Sequence, residues 1–181
     1  TSAHEKKSVS AKFSTSLLND NLSINFRTRA GLTDDNFASG VMSAARTFDP
    51  TRPVLDANSP FGGYFQWNDR LATGNPLSTL ELQENTGSLT RTLNNLTLSY
   101  QLPFLKGLSI TSNTSYDRST GTKREFSDPL EKSNFDRGGR LFNENLENYS
   151  ALVETYATYS LPLEKMNSKL DFTLGHSWQE F

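Results

Sequence analysis

Six stretches of this chain alternate apolar with polar residues, and the joints between them alternate between short and long. The stretches are Ser8–Leu17, Leu22–Gly31, Leu89–Leu102, Leu108–Arg118, Leu141–Leu161 and Lys169–Phe181. A period of two is the mark of a strand with two different faces. The first, third and fifth joints, Leu18–Asn21, Pro103–Gly107 and Pro162–Ser168, are tight, whereas Leu32–Ser88 and Ser119–Arg140 are long. In an up-and-down sheet, odd joints fall at one end and even joints at the other. Short turns at one end and large loops at the other are the layout of an outer-membrane β-barrel. The expected fold class is therefore all-β: an antiparallel up-and-down meander, part of a large transmembrane barrel, with short helices in a long extracellular loop.

Composition permits this. The chain has 181 residues, of which 34% are hydrophobic, and its mean hydropathy is −0.59. No apolar run approaches the ~20 residues of a spanning helix, but barrel strands face lipid only at alternate residues. A net charge of −2 argues against a nucleic-acid surface. The absence of cysteine removes disulfides, thiolate metal sites and thiol nucleophiles. The chain opens on Thr1 without Met and stops at Phe181 within a strand pattern. Residues 1–181 read as an internal piece of a longer protein, carrying about six strands.

Each strand divides cleanly. Val9, Ala11, Phe13, Thr15 and Leu17 oppose Ser8, Ser10, Lys12, Ser14 and Ser16. In the last two strands, Val153, Thr155, Ala157, Tyr159 and Leu161 share a side, as do Leu170, Phe172, Leu174, His176 and Trp178. The polar side carries Lys12, Arg27, Arg29, Glu154, Lys169 and Asp171, expected to line a lumen. On the apolar side, Tyr100 and Tyr159 lie near the short turns, and Tyr116, Tyr149 and Trp178 near the long loops. Two rows of amphipathic rings bounding an aliphatic band suit a bilayer's headgroup levels, so these five are candidates for an aromatic girdle.

In the first long loop, Asn36–Phe48 has helical spacing, with Asp34, Asp35 or Asn36 available as a cap and Pro50 as a stop. A second helix is predicted to start at Asn75 with Pro76 in its first turn. Between them, Phe61 to Arg70 is rich in aromatic and polar residues. Tyr64, Phe65, Trp67, Asp69 and Arg70 are the ligand-contact candidates, since rings stack on sugar faces while polar groups take hydroxyls. The competing and stronger use of the aromatics is a small core that folds the loop.

Nothing supports catalysis. His4 and His176 have no partner at a recognised spacing, no phosphate loop or metal-ligand cluster is present, and no cofactor is expected. Asp34-Asp35-Asn36 is better used as a cap than as a cation site. Thr122-Lys123-Arg124-Glu125 reads as solvated charge.

The strings Asp49-Pro50-Thr51-Arg52-Pro53-Val54, Asn75-Pro76-Leu77 with Leu80 and Glu81, Leu105-Lys106-Gly107-Leu108 and Leu174-Gly175-His176-Ser177-Trp178-Gln179-Glu180 occur in an order that resembles the SusC/RagA family of TonB-dependent outer-membrane transporters. His176 departs from the aromatic expected there. The resemblance implies a wall segment of a nutrient importer in the bacterial outer membrane. Its implied partners are membrane lipid, a SusD-like surface lipoprotein lid, the TonB complex acting through a missing plug, and an oligosaccharide or peptide substrate. The alternative is a soluble or surface β-rich carbohydrate-binding module, which should bury its apolar face under a second layer of the same chain.

Overall fold

The computed structural model describes residues 2–69 and 71–181. Its strands are β1 (Ala3–Leu17), β2 (Leu22–Asn36), β3 (Gln83–Gln101), β4 (Leu108–Ser127), β5 (Arg140–Leu163) and β6 (Ser168–Glu180). Two helices, α1 (Val41–Thr47) and α2 (Pro76–Leu82), lie between β2 and β3, and a 3-10 turn, Lys132–Arg137, lies between β4 and β5. The strands follow the predicted alternation and run on beyond it towards the long connections. β4, predicted to end at Arg118, continues to Ser127.

The sheet order is β1-β2-β3-β4-β5-β6. The order corrects the expected barrel. The fold is an open antiparallel meander whose edges, β1 and β6, do not pair with each other among the described residues, and a barrel requires that closure. The expected outer-membrane location rested on closure and falls with it. No described helix is long and apolar enough to cross a membrane. Of the five girdle candidates, Tyr116, Tyr149 and Trp178 are exposed, and Tyr100 and Tyr159 are half-buried.

The pairing of β5 with β6 shows the two-faced pattern directly. Val153 lies opposite Trp178, Tyr159 opposite Phe172 and Leu161 opposite Leu170, while Glu154 faces Ser177 and Ser160 faces Asp171 on the other side. Among the described residues no hydrophobic side chain is buried; the buried ones are Gln66, Asn75, Ser78, Ser127 and Glu131, all polar. Among the described residues no second layer covers the apolar face, which corrects that one expectation of the alternative module and leaves its sheet architecture in place.

Turn chemistry sets the register. Leu18, Asn19 and Asp20 all adopt positive φ, at 58°, 54° and 66°, a conformation that Asn and Asp tolerate better than Leu. The Asn21 N–H and its side-chain Nδ2 both donate to the Leu18 carbonyl, at 3.2 and 2.8 Å. At the β3–β4 turn, Gly107 has φ 93°. A Cβ there would lie 2.5 Å from the Ser160 carbonyl oxygen, so only glycine fits.

The chain divides into two compact units. One comprises the start of β1 through Lys6, Thr33–Leu89 and Gly121–Leu146; the other comprises Lys7–Leu32, Thr90–Thr120 and Glu147–Phe181. The first holds both long connections, and the second holds the three short turns.

Candidate functional site

In the first unit, a polar knot replaces a hydrophobic core. Asn75 is completely buried. Its Oδ1 accepts from the Leu77 N–H at 3.0 Å, capping α2, while its Nδ2 donates to the carbonyls of Val54 at 2.6 Å and Phe65 at 3.2 Å. Its own N–H donates to Gln66 Oε1 at 3.0 Å. Pro76 follows at the first helical position, where a missing N–H costs nothing. By contrast, α1 starts later than its spacing predicts. Asp34, Asp35 and Asn36 belong to β2, and α1 is preceded by Gly40 at φ 79° with no side-chain cap.

The second connection is tied to this knot. The Asp128 N–H donates to the Leu82 carbonyl at 2.9 Å. Lys132 Nζ donates to the carbonyls of Asp69 at 2.9 Å and Ala72 at 3.4 Å, and its burial moves its pKa below the usual lysine value, against the pull of Asp69 and Glu131. The buried Glu131 carboxylate accepts from the Ser133 N–H at 2.9 Å, from Ser127 Oγ at 3.3 Å and from Ser133 Oγ. Phe61 and Phe135 stack edge-to-face at 4.9 Å.

Beside these ties, and sharing Ser127 and Ser133 with them, lies an open cavity of about 460 Å3, within the range of small-molecule sites, about 300–1,000 Å3. The end of β2 and the residues after it contribute Asn36, Phe37 and Ser39. The helix α2 contributes Thr79 and Leu80, β3 contributes Gln83, Glu84 and Asn85, and β4 contributes Lys123, Glu125 and Phe126; Asn134 and Arg140 complete the wall. The lining charges cancel. Glu125 lies 2.7 Å from Lys123 Nζ and 3.2 Å from Arg140, and Glu84 lies 3.8 Å from Arg124. The Lys123 hydrogen bond, helped by the charges of Lys123 and Arg140, holds the Glu125 carboxyl below its usual pKa. Asn85 donates from Nδ2 to Ser39 Oγ at 3.4 Å, while its Oδ1 is buried with no partner.

The ligand-contact candidates fall elsewhere. Phe65 stacks edge-to-face on Phe48 at 6.4 Å and on Trp67 at 5.4 Å, and the Arg52 guanidinium lies 4.8 Å above the Trp67 ring. Tyr64 pairs with Leu55 in an isolated bridge. Asp69 Oδ1 accepts from the Leu71 N–H at 2.9 Å. None of Tyr64, Phe65, Trp67 and Asp69 lines the cavity, and Arg70 lies outside the described residues. Sequence reasoning missed Gln83, Asn85 and Arg140, and took Lys123 and Glu125 for solvated charge. The one signal for the latter was continued alternation past Arg118. Among the described residues no group of three or more His, Cys, Asp or Glu is placed to hold a metal ion.

No family model and no curated protein matches the chain. Its fold is similar to that of two solved structures. The first, "Structure of the RagAB peptide transporter", gives a TM-score of 0.70 at 12% identity over 97% of this chain. The second, "Structure of the RagAB peptide importer in the 'closed-closed' state", gives 0.68 at 12% identity over 97%. The chain spans about a fifth of the length of each, 20%. Both are named as a transporter or importer.

At that identity the likeness extends to the fold alone, and the expected SusC/RagA membership is corrected. The strings that suggested it have local explanations. Asn75-Pro76-Leu77 is an N-cap, a first-turn proline and the N–H that the cap receives. Leu105-Lys106-Gly107-Leu108 closes a turn, where the Leu108 N–H donates to the Leu105 carbonyl at 3.1 Å.

Proposed function

We propose that the chain is a non-catalytic, β-rich carbohydrate-binding module that holds a neutral oligosaccharide in the cavity between its two long connections. The observation that carries this reading is a cavity wall rich in amides and hydroxyls, among them Asn36, Ser39, Thr79, Gln83, Asn85 and Asn134, whose charges cancel. Sugar hydroxyls donate and accept at close spacing, and the Phe37 and Phe126 rings supply apolar surface for a pyranose face. Charge balance disfavours a strongly ionic ligand. In this reading Tyr64, Phe65, Trp67 and Asp69 build the loop that supports the cavity, and the fold likeness supports a place for the module within a transport system.

Calorimetric titration with a panel of neutral oligosaccharides tests the reading. At least one should bind saturably, and Asn85→Leu should weaken it about tenfold, the equivalent of one hydrogen bond of about 1.4 kcal/mol. Unchanged affinity in that variant would remove the site. The titles of the similar structures motivate a second reading, a peptide ligand. Saturable binding of short peptides with no saccharide binding would select it.

A further inference from the structure

The second unit carries a cleft of different chemistry, of about 240 Å3, lined by Lys12, Asn25, Phe26, Arg27, Asn95 and Thr97. We propose that it binds an oxyanion, the carboxylate or phosphate group of a ligand, between Lys12 and Arg27.

The register builds the site. β1 ends at Leu17 and β2 begins at Leu22, so Lys12 stands across from Arg27. The Gln101 N–H donates to the Asn21 carbonyl at 2.8 Å, and Thr28 Oγ1 donates to Asn94 Oδ1 at 2.8 Å. These bonds put Arg27 across from Asn95 and Asn25 across from Thr97. Two cations and three neutral polar groups thus share one face of three adjacent strands.

Like charges directly opposite each other destabilise a sheet pair. Three other cations of this unit are matched: Arg91 forks onto Asp117, Arg118 lies 2.5 Å from Glu147, and Lys169 lies 3.0 Å from Asp171. Among the described residues, Lys12 and Arg27 form no ion pair, and the Asn95 carboxamide and Thr97 hydroxyl make no hydrogen bond. Arg29, also without an ion pair, follows two residues along the same face and adds positive charge. Guanidinium forks match carboxylate and phosphate oxygens in plane, whereas the ammonium serves as a point charge. Asn25 Nδ2 spends one of its two hydrogens on Ser23 Oγ at 3.1 Å, so its second N–H joins Asn95 and Thr97 as the neutral donors for a bound oxygen. Each is half-buried at the sheet surface.

The test titrates the full chain with inorganic phosphate and, separately, with acetate at constant ionic strength, followed by amide chemical shifts and melting temperature. Saturable shifts confined to residues around Lys12, Arg27 and Asn95 are expected from at least one probe, together with a rise in melting temperature. The stronger probe identifies the group. Lys12→Gln with Arg27→Gln should lower affinity at least tenfold while melting no lower than the parent without anion, because repulsion is relieved. Arg118→Gln, on a matched cation, should bind as the parent does. Absence of saturation with both probes, or equal anion stabilisation in the doubly neutralised variant, would overturn the proposal. Neutral oligosaccharide should not compete, so this outcome is independent of the cavity in the first unit.

Discussion

Asn75 reaches back along the chain to Val54, donating from Nδ2 to its carbonyl oxygen at 2.6 Å. One side chain therefore caps a helix and pins a distant loop. Asn75→Ala should remove the cap and leave the Phe65 carbonyl without a partner, while the Val54 carbonyl keeps the Phe65 N–H at 3.1 Å, at a cost of about 2 kcal/mol. Asn75→Asp keeps the acceptor for Leu77 but sets a buried carboxylate oxygen against the Val54 and Phe65 carbonyls, and near neutral pH should cost more than alanine. Thermal melts of the two variants check the order, and because α2 walls the cavity, saccharide affinity should fall in the same sequence.

Ser78 makes the opposite prediction. It is fully buried in α2, and its Oγ has no hydrogen-bond partner. Ser78→Ala deletes an unsatisfied hydroxyl and improves helix propensity. Stability should rise by about 1 kcal/mol, read as an increase in denaturation midpoint. A decrease would mean that the hydroxyl has a partner in solution.

Gly107→Ala should be costly on two counts. A left-handed backbone conformation disfavours any Cβ by roughly 1–3 kcal/mol, and this Cβ meets the Ser160 carbonyl oxygen at 2.5 Å. That contact also threatens the Ser160 N–H donation to the Gly107 carbonyl, 2.8 Å long. Hydrogen exchange should accelerate at Ser160 and at its neighbours in β5.

Glu125 gives a pH signature. Its carboxyl is held below the usual value, first by the Lys123 hydrogen bond. A depressed carboxylate stabilises the fold above its unfolded pKa, and the contribution is lost as pH falls through the folded value. The melting temperature should therefore drop as pH is lowered from the ordinary glutamate value of 4.5 into more acidic solution. Glu125→Gln should flatten that part of the profile, with the effect kept small by solvent exposure.

The sequence made some of this architecture legible. Period-two alternation located six strands and assigned Tyr159, Phe172 and Trp178 to one face, because side-chain direction is a local property of extended backbone. The start of α2 was legible for the same reason, since Asn75-Pro76 is cap chemistry written in adjacent residues. The start of α1 was not: Asp34 to Asn36 are good caps by type, but strand pairing holds them in β2. Whether the outer strands meet is a long-range fact that alternation does not encode, so the closed barrel was an over-reading of loop lengths. The cavity was invisible for a related reason. Its wall comes from separate stretches of chain, and the orphaned Asn85 Oδ1 exists only once they have come together.

A molecule whose described part withdraws no greasy side chain fully from water has an unusual thermal signature. The heat-capacity increment of unfolding follows newly wetted apolar surface, and polar groups such as Asn75 and Glu131 work against it. Calorimetry should record an increment below the customary ~12–15 cal/mol/K per residue. The stability curve would then be shallow, and chilling would weaken this protein less than one built around a dry interior.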